Sequence, residues 1–476
     1  MKRISYFLIV FLALSVFETI FAEERPNILV FLCDDLGYGD LGCYGNPIIQ
    51  TPNLDHLAGE GIRFTDFYST APVCSASRAG LLTGRTPSRV GVFDWIPNNH
   101  QMHLLKTETT FATLLKKNGY DTALIGKWHC NGKFNSPDQP QPSDHGFDYW
   151  FSTQNNASPS HENPGNFVRN GVKAGKIEGF SCQIVVDEAI NWLAKRSDAE
   201  QPFCLLVTFH EPHEPIASPK ELVEKYRSQG ATKPGEAVYY ANVENMDAAV
   251  GRLVAELKRK GLWDNTLTFF TSDNGPETLD RYQGAERSHG TPGELRGMKL
   301  WIYEGGYRVP GIAVWPGKIR PNQVSKTPIG AIDFLPTFCA ISETAMPTDR
   351  VYDGTNLLPF FQGGEIRRAK PLFWCYINAI GDPRVSLRDG DWKLVATIKE
   401  SVRPLHGSGN THDPEWFAQL KTAKLDRFEL YNLVDDHREL TDLTESQPEK
   451  LAELKMKMES LFQEMQHDAP LWNQNP

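Results

Sequence analysis

Cys74 and Arg78 are the residues whose types and spacing indicate chemistry most clearly. They lie four residues apart at the start of a helix-like run, and Arg85 follows in the same segment. A helix N-terminus carries partial positive charge and free N–H groups, so with nearby arginines it can hold an anion. Cysteine there would place a reactive side chain beside that anion. A lone cysteine is more often buried and inert, so the pair alone leaves both interpretations open.

Four further groups of polar residues follow strand-like runs directly. Each group alone is typical of a turn or a solvated loop. In open α/β sheets, however, ligands bind beyond the carboxyl ends of the strands, so the four groups together predict one pocket. The groups are Asp34 and Asp35, Lys127 and His129 in Gly-Lys-Trp-His, His210 and His213 in His-Glu-Pro-His-Glu-Pro, and Asp273 and Asn274 in Ser-Asp-Asn-Gly.

The mixture of residue types in these groups suits a tetrahedral anion held next to a metal ion. Asp34, Asp35, Asp273 and Asn274 offer only hard oxygen ligands, which Ca²⁺ or Mg²⁺ prefer. A cation there would orient a sulfate-like oxygen and a nucleophile together. Lysine, arginine and histidine donors would hold the remaining oxygens of the anion.

The segment from Cys74 to Arg85 resembles the signature of the type I, formylglycine-dependent sulfatases, in which Cys-x-(Pro or Ala)-Ser-Arg precedes Leu-Thr-Gly-Arg. Ala76 stands where proline is commoner in that family. The similarity continues in the same order from Pro26 to the C-terminal region, within the alkaline-phosphatase-like superfamily. It leans toward the arylsulfatase and N-acetylgalactosamine-6-sulfatase-like branch.

This resemblance implies a cofactor, a modification and a set of site residues. Cys74 would be oxidised to formylglycine by a formylglycine-generating or anaerobic sulfatase-maturating enzyme, and one Ca²⁺, rather than Mg²⁺, would be bound. Lys299 matches the family motif Lys-x-x-x-(Tyr or His)-Glu-Gly-Gly, in which Glu304 to Gly306 is expected to form a tight turn before a strand at 308–310. The implied metal ligands are Asp34, Asp35, Asp273, Asn274 and the modified Cys74; the implied catalytic and sulfate-contacting residues are Arg78, Lys127, His129, His213 and Lys299, with His210 as a second choice for the sulfate-contacting histidine.

The mechanism that the resemblance implies has two halves. One hydroxyl of the hydrated aldehyde, deprotonated with help from the metal and Asp273, attacks sulfur while Lys299 or His213 protonates the departing oxygen. His129 then acts as base on the second hydroxyl, and sulfate leaves. The implied substrate is a sulfate monoester, and an exported chain with tryptophan and histidine in its loops favours a sulfated carbohydrate.

Alternating strand-like and helical patterns predict the elements that must position these residues. The fold class is α/β: a large, mostly parallel sheet covered by helices on both faces, in a catalytic domain over residues 23–360. Predicted strands are Asn27 to Cys33, Thr122 to Ile125, Phe203 to Phe209 and Thr266 to Thr271, and predicted helices include Val185 to Ala194 and Ala241 to Lys258.

The C-terminal part has a different pattern and predicts a smaller α+β subdomain over residues 361–476. Short strand-like segments indicate an antiparallel sheet, and apolar residues at helical spacing indicate one packed helix. Residues 399–425 have little periodicity and are expected to form a long loop. The segments are Leu372 to Tyr376, Arg384 to Arg388, Trp392 to Ala396, Phe428 to Leu433 and a helix from Pro448 to Met465.

The N-terminus and the composition indicate export. Lys2 and Arg3 precede an apolar run that ends at Ala22 before two glutamates, which predicts a secretory signal peptide over residues 1–22 and a periplasmic, secreted or, in a eukaryote, lysosomal-type location. A membrane anchor would be short and flanked by acid, so no stable insertion is expected after cleavage. A net charge of −10 argues against nucleic acid as a partner. The eight cysteines show no zinc spacing.

Three other functions fit parts of the pattern. A phosphodiesterase or phosphonate monoester hydrolase of the same superfamily would need the same metal and cations. A non-catalytic binder of sulfated polysaccharide would keep Cys74 as a thiol, although the full set of charged residues argues against it. A structural surface protein has no positive feature in its favour.

Overall fold

The structure, a computed structural model, describes residues 25–198, 200–233, 235–399 and 418–472. The predicted signal peptide at 1–22 and most of the predicted loop at 399–425 lie outside these ranges. None of the described helices combines the length and apolarity that a membrane span needs. All eight cysteines fall within the described ranges, and none of them is in a disulfide bond.

A ten-stranded sheet forms the centre of the molecule, in the order β11-β2-β10-β9-β1-β8-β4-β5-β6-β7. The run from β9 to β5 is parallel throughout, whereas β10, β6 and β7 pair antiparallel with their neighbours. The sheet strands are β1 (Asn27–Asp34), β2 (Ile62–Phe64), β4 (Asp121–Lys127), β5 (Tyr149–Thr153), β6 (Val168–Arg169), β7 (Val172–Lys173), β8 (Phe203–Pro212), β9 (Thr266–Ser272), β10 (Gly311–Val314) and β11 (Gln323–Ser325); β3 (Phe67–Tyr68) and β12 (Ile329–Gly330) form a separate pair.

Helices cover both faces of this sheet because its central strands are apolar on both sides. One core packs α1, α4 and α6 against the sheet, and the other packs α2, α3 and α8. The helices are α1 (Pro52–Glu60), α2 (Cys74–Thr83), α3 (Phe111–Lys117), α4 (Ser181–Lys195), α5 (Lys220–Ser228), α6 (Glu236–Arg259), α7 (Glu304–Tyr307), α8 (Phe334–Ile341) and α9 (Leu358–Phe361). The predicted α/β class is therefore confirmed.

The C-terminal part forms the predicted small antiparallel sheet with one long helix. The strands are ordered β13-β14-β15-β16, and the helix α10 contacts β14 and β15. Their bounds are β13 (Leu372–Tyr376), β14 (Arg384–Asp389), β15 (Trp392–Ile398), β16 (Leu425–Asn432) and α10 (Pro448–Asp468).

A buried network of charges, the inter-sheet network, joins the small sheet to the large one. Lys393 on β15 lies 2.9 Å from Glu304 Oε1 and 2.6 Å from Glu439 Oε1. Asp66 pairs with Arg308 and with Arg388, each at 2.6 Å. All six side chains are buried, and three carboxylates face three cations.

The local prediction around Glu304 was partly confirmed, because Arg308 forms an antiparallel bridge with Tyr68, but the bounds of the turn and of the strand differ. The segment expected to be a tight turn forms the one-turn helix α7, which the Arg308 N–H closes by donating to Glu304 O at 2.7 Å. The next strand begins at Gly311 instead of Arg308. Pro310 has no N–H to donate to a sheet ladder, so regular pairing starts only after it.

Candidate active site

The carboxyl ends of four parallel strands meet at one edge of the large sheet. β1 ends at Asp34, β4 at Lys127 and β9 at Ser272, the residue before Asp273. The register places Cys33 opposite Ser272, and Asp34 opposite Pro212, the residue before His213. The four polar groups that were expected to share a pocket are thus brought together.

Two ion pairs form the centre of the cluster. Lys127 Nζ lies 2.6 Å from Asp34 Oδ2, and both side chains are fully buried. Arg78 Nε and Nη2 both contact Asp273 Oδ2, at 2.9 and 2.8 Å. The Arg78 Nη1 group also donates to the backbone oxygen of Lys127 at 2.8 Å. Helix α2 and strand β4 are therefore tied together through Arg78.

Lys299 brings a third cation to the cluster from a loop before α7. Its Nζ lies 2.7 Å from Asp35 Oδ1 and 3.5 Å from Glu277 Oε2. Asn274 Nδ2 donates to the same Asp35 oxygen at 2.7 Å. Burial lowers the pKa of Lys299, but the charges of Asp35 and Glu277 outweigh it and hold that pKa well above its ordinary value.

Glu277 is a member of this cluster that the sequence did not reveal. Burial raises its pKa, but Lys299 and Arg281 outweigh that effect and lower it to about 2. Arg281 donates two hydrogen bonds to the Glu277 carboxylate, at 2.7 and 2.8 Å. The spacing of four residues between the two was the available signal. Glu277 is thus a second carboxylate partner of Lys299, after Asp35.

Cys74 is the first residue of α2 and is buried, with 3% of its surface exposed. Burial raises the pKa of its thiol to about 11, although the charges of Lys127 and Lys299 pull it down. The loop that carries Lys299 is fixed beside this helix start, because Leu300 N donates to Pro72 O at 2.9 Å. An unmodified thiol here is protonated at neutral pH and is a weak nucleophile.

The hydrogen bonds of His129 fix its tautomer. Burial first, and then the charges of Lys127 and Arg78, lower the pKa of His129 well below its usual value, so the ring is neutral at pH 7. Its Nε2 lies 3.1 Å from the backbone oxygen of Ile96, which can only accept. Nε2 therefore carries the proton, and the buried Nδ1, which has no partner among the described residues, keeps a lone pair.

His213 and His210 differ in their surroundings. His213 Nδ1 contacts the Glu214 backbone oxygen at 2.5 Å, which leaves Nε2 3.6 Å from Asp35 Oδ2. His210 is fully buried, contacts Thr153 Oγ1 at 2.8 Å and packs its ring against Phe167. Burial is the main reason that the pKa of each histidine lies below its ordinary value. His213 thus faces the carboxylate cluster, whereas the ring of His210 is held by Thr153 and Phe167.

The oxygen atoms of the cluster fit a hard cation. Asp34 Oδ1 and Asn274 Oδ1 are buried without a hydrogen-bond donor among the described residues. Ligand atoms of Asp34, Asp35 and His213 lie within 4.8 Å of one another. Burial and the Asp34 charge raise the pKa of Asp273 to about 7. A divalent cation would satisfy the free oxygens and relieve the repulsion among the three carboxylates.

Backbone strain is concentrated at the same place. Asp35, His129 and Leu300 have φ values of 66°, 52° and 70°, in the left-handed region that non-glycine residues avoid. Gly126 has φ 117°, and a Cβ there would lie 1.8 Å from Thr208 O on the neighbouring strand. The chain therefore bends sharply where each strand delivers its polar residues, as strained functional sites commonly do.

This geometry can bind a tetrahedral anion. With all groups charged, four carboxylates (Asp34, Asp35, Asp273 and Glu277) oppose four cations (Arg78, Lys127, Lys299 and Arg281). A divalent cation would make the site net positive, which suits an anionic ester. A neutral histidine with a free Nδ1 can accept a proton beside it.

The sequence and the structure were compared with known proteins. The family model described as Sulfatase matches residues 26–342. Human N-acetylgalactosamine-6-sulfatase is 34% identical over 376 residues, which cover 74% of this chain and 69% of the human protein. Human arylsulfatase A is 33% identical over 460 residues, which cover 90% and 86%.

Solved structures show the same fold. Ps i-CgsB in complex with k-i-k-neocarrahexaose superposes with a TM-score of 0.78 and 25% identity, covering 94% of this chain and 95% of that one. The PsFucS1 sulfatase from Pseudoalteromonas sp. gives a TM-score of 0.74 at 27% identity, covering 94% and 92%. The chain belongs to the sulfatase family of sulfuric ester hydrolases.

Proposed function

We propose that this enzyme hydrolyses sulfate monoesters of a sulfated carbohydrate, using a formylglycine made from Cys74 and one bound Ca²⁺. The observation that carries the proposal is the position of Cys74. It begins a helix whose Arg78 contacts Asp273, and it lies within the electrostatic reach of Lys127 and Lys299. The weak nucleophilicity of a thiol with a pKa of about 11 is a reason for replacing its sulfur by oxygen.

The residues that would hold the ion are Asp34, Asp35, Asp273 and Asn274, together with the modified Cys74. Carboxylate and amide oxygens at this density favour Ca²⁺. When bound, the ion would supply positive charge that stabilises the sulfate oxygens and the attacking oxygen. Arg78 orients Asp273 from the side of α2, and Lys127 orients Asp34 from the side of β4.

His129 would be the base that releases sulfate in the second half of the reaction. Its neutral ring and its fixed Nε2 proton leave Nδ1 as the only proton acceptor. Asp273 would assist deprotonation of the attacking hydroxyl in the first half, together with the bound ion. The neutral ring of His129 is the protonation state that its step requires.

The cations would bind the sulfate group and the leaving oxygen. Lys127 is fixed by Asp34, and Lys299 is fixed between Asp35 and Glu277, so both act as preorganised charges. Lys299 or His213 would protonate the departing oxygen, because both lie on the Asp35 side of the cluster. His210 would shape the pocket, since its ring is held by Thr153 and Phe167.

The names of the relatives support a carbohydrate substrate. N-acetylgalactosamine-6-sulfatase is named for a sulfated sugar, and Ps i-CgsB was solved with a neocarrahexaose. We further propose that residues 1–22 direct export, that a maturation enzyme of the formylglycine-generating or anaerobic type modifies Cys74, and that the catalytic domain spans 23–360 and the smaller subdomain 361–476. The start of β13 at Leu372 supports that boundary.

The test combines a mass measurement with an assay on the same preparation. The protein is produced with a maturation enzyme, and the tryptic peptide containing Cys74 is expected to be about 18 Da lighter, because the CH₂SH group becomes CHO. The peptide containing Cys130, another buried thiol next to His129, is the matched control and should keep its mass. Free sulfate is measured from sulfated sugars, with phosphate diesters assayed in parallel.

The outcomes separate the alternatives. A modified Cys74 with sulfate release supports the proposal. Faster cleavage of phosphate diesters would instead assign the enzyme to a phosphodiester-hydrolysing branch, since the cation arrangement alone does not distinguish sulfur from phosphorus. An unmodified thiol with no sulfate release after two different maturation systems would contradict the proposal and would favour a polysaccharide-binding role.

A further inference from the structure

We propose that a cavity beside His129 and His210 binds the sugar next to the one that carries the cleaved sulfate, and that Lys173 binds an anionic group on that neighbouring sugar. This inference rests on the proposed sulfatase function and deepens it. It specifies the substrate as an oligosaccharide or polysaccharide whose adjacent residue carries a sulfate or a carboxylate.

The cavity has a volume of about 510 Å³ and lies at the same edge of the large sheet as the active site, beyond the end of β5. This size is within the range of small-ligand pockets. Apart from Lys173, its polar lining side chains are all neutral amides, and Phe134 adds an aromatic ring. The amide residues are Asn98, Asn135, Gln154, Asn155, Asn156 and Asn166.

Direct contacts connect the wall of the cavity to His129 and His210. Gln154 accepts a hydrogen bond from His129 N at 2.7 Å through its backbone oxygen. The Gln154 side chain donates to Ile96 O, the same carbonyl that holds His129 Nε2. Phe167, another lining residue, packs edge-on against His210 with ring centroids 5.4 Å apart. The cavity and the reaction centre thus share one wall.

Distance along the sheet is also suitable for a neighbouring sugar. His129 follows β4, and the cavity residues Gln154 to Asn156 follow β5, which pairs with β4 in parallel. Adjacent strands lie about 4.8 Å apart. The cavity therefore begins about one strand spacing from His129, a distance comparable to the size of one sugar ring.

The polar lining suits hydroxyl groups. Asn155 Oδ1 and Asn156 Oδ1 are buried oxygens that no described residue contacts with a hydrogen-bond donor. A buried acceptor without a partner is costly, so either amide would gain by rotating its oxygen toward a hydroxyl of a bound sugar. Phe134 is half-buried and held edge-on to Trp150, with ring centroids 5.5 Å apart. An aromatic ring fixed in this way can pack against the apolar face of a pyranose.

Lys173 gives the cavity its selectivity for charge. It is exposed on β7, opposite Val168, and no ion pair or side-chain hydrogen bond joins it to another described residue. Arg169, which lies opposite Val172 in the same hairpin, is instead held by Glu188 at 2.6 Å. An unpaired lysine beside neutral amides favours a ligand that combines hydroxyls with one negative group. An aryl sulfate has no group to place there.

The experiment uses the matured full-length enzyme and the double variant Asn98→Ala/Lys173→Gln. Both residues are exposed, so the substitutions leave the core untouched. Lys326→Gln, an exposed lysine beside β11 at the opposite end of the sheet, is the matched control. The kcat/KM for sulfate release is measured on 4-nitrophenyl sulfate, N-acetylgalactosamine 6-sulfate, the unsaturated chondroitin 6-sulfate disaccharide and an ι-carrageenan hexasaccharide.

We expect the unsubstituted enzyme to prefer at least one oligosaccharide over the monosaccharide and the aryl sulfate. The double variant should lose about tenfold more kcat/KM on that oligosaccharide than on 4-nitrophenyl sulfate, and the Lys326→Gln control should show no such difference. Binding of the same oligosaccharide to Cys74→Ala, with and without the double substitution, should show a matching change in Kd.

Three results would overturn the inference and can be told apart. If sulfate is released but the double variant loses activity equally on all substrates, the cavity is not a sugar subsite and the proposed function stands. If neither oligosaccharide is cleaved or bound in preference to the small sulfates, the cavity inference is likewise wrong. If no substrate releases sulfate, the proposed function fails, and this inference fails with it.

Discussion

The active-site cluster and the inter-sheet network are both buried groups of opposite charges, but they are built differently. In the inter-sheet network each carboxylate contacts a cation within 3.2 Å, and three carboxylates meet three cations. In the active-site cluster, Asp34, Asp35 and Asp273 lie close together, and Asp34 Oδ1 and Asn274 Oδ1 have no donor among the described residues. Both groups pair their carboxylates with cations, but only the active-site cluster combines three neighbouring carboxylates with buried oxygens that contact neither a donor nor a cation in the described part of the chain, and these leave room for a further positive charge.

The difference shows how burial of charge serves two purposes. Buried charges are costly unless they are paired, so a complete network fixes the relation between two sheets. An incomplete cluster keeps part of that cost until a ligand arrives, and the ligand then gains from satisfying it. We therefore expect substitutions in the first group to affect stability and those in the second to affect activity.

The largest effect is expected from Asp273→Asn in the active-site cluster. The single amide oxygen can accept from Arg78, which contacts Oδ2, or from Asp35 N, which contacts Oδ1, but not from both, and Arg78 loses its buried counter-charge. The free energy of unfolding should therefore fall by about 1–3 kcal/mol, which leaves the variant folded. Loss of the carboxylate should lower kcat by at least about 10³-fold. Sulfate release and thermal denaturation of the same sample check both statements, and a variant with a tenth of the normal activity would contradict the assignment.

The second effect is expected from Lys393→Met in the inter-sheet network. Removing the lysine leaves Glu439 buried without a cation and leaves Glu304 with Arg308 alone, which should lower the free energy of unfolding by about 3–5 kcal/mol. The specific activity of the folded fraction should stay within about threefold. Urea denaturation measures the loss, and the double variant Lys393→Met/Glu439→Gln should recover part of it. A Lys393→Met variant that keeps its stability but loses activity would contradict the assignment of the inter-sheet network to stability.

Removal of Ca²⁺ should lower stability by less than Lys393→Met does. The size of this effect should depend on whether the active-site cluster is intact, and not on the inter-sheet network. At a Ca²⁺ concentration one hundred times its Kd, binding stabilises the folded state by about 2.7 kcal/mol. A chelator should therefore lower Tm by about 3 °C in a chain of this size. Lys393→Met should show the same shift as the unsubstituted enzyme, and Asp273→Asn should show none. Scanning calorimetry with and without chelator distinguishes these cases.

The smallest effect is expected on the pH dependence of the free energy of unfolding, through the protonation of Glu439. Burial and the Glu304 charge raise its pKa from 4.5 to about 7, so the folded state holds a proton that the unfolded state has lost above pH 5. Its contribution to stability is present at low pH and is lost as pH rises through 7, about 1 kcal/mol between pH 6 and 8. Glu439→Gln should remove this slope. Chemical denaturation at several pH values tests it, and an unchanged slope would place the titration elsewhere.

The sequence was sufficient for the sheet, its helices and the strand ends that carry the active-site residues. Apolar runs such as β1 and β9 are unambiguous, because both faces of a central parallel strand are buried. The motif around Cys74 and the Asp34, Lys127 and Asp273 groups then mark the edge where the cluster forms. Parallel strands bring these groups together from positions far apart in the chain.

The sequence was insufficient where a contact depends on tertiary packing alone. Arg388 and Asp66 are 322 residues apart, and nothing near either residue indicates that they meet. Glu277 has a helical spacing to Arg281, but its contact with Lys299 requires the loop to fold back. The amide-lined cavity likewise combines four separate segments, so no local pattern predicts it.

The burial of Cys74 has a consequence for the biosynthesis of the enzyme. Its side chain is almost entirely enclosed at the start of a packed helix, so a modifying enzyme cannot reach it in the folded protein. The proposed modification of Cys74 would therefore have to come before this helix packs, while the chain is still extended. Under that proposal, protein that folds first would keep its thiol and stay inactive, and the active fraction would depend on the rate of maturation relative to the rate of folding.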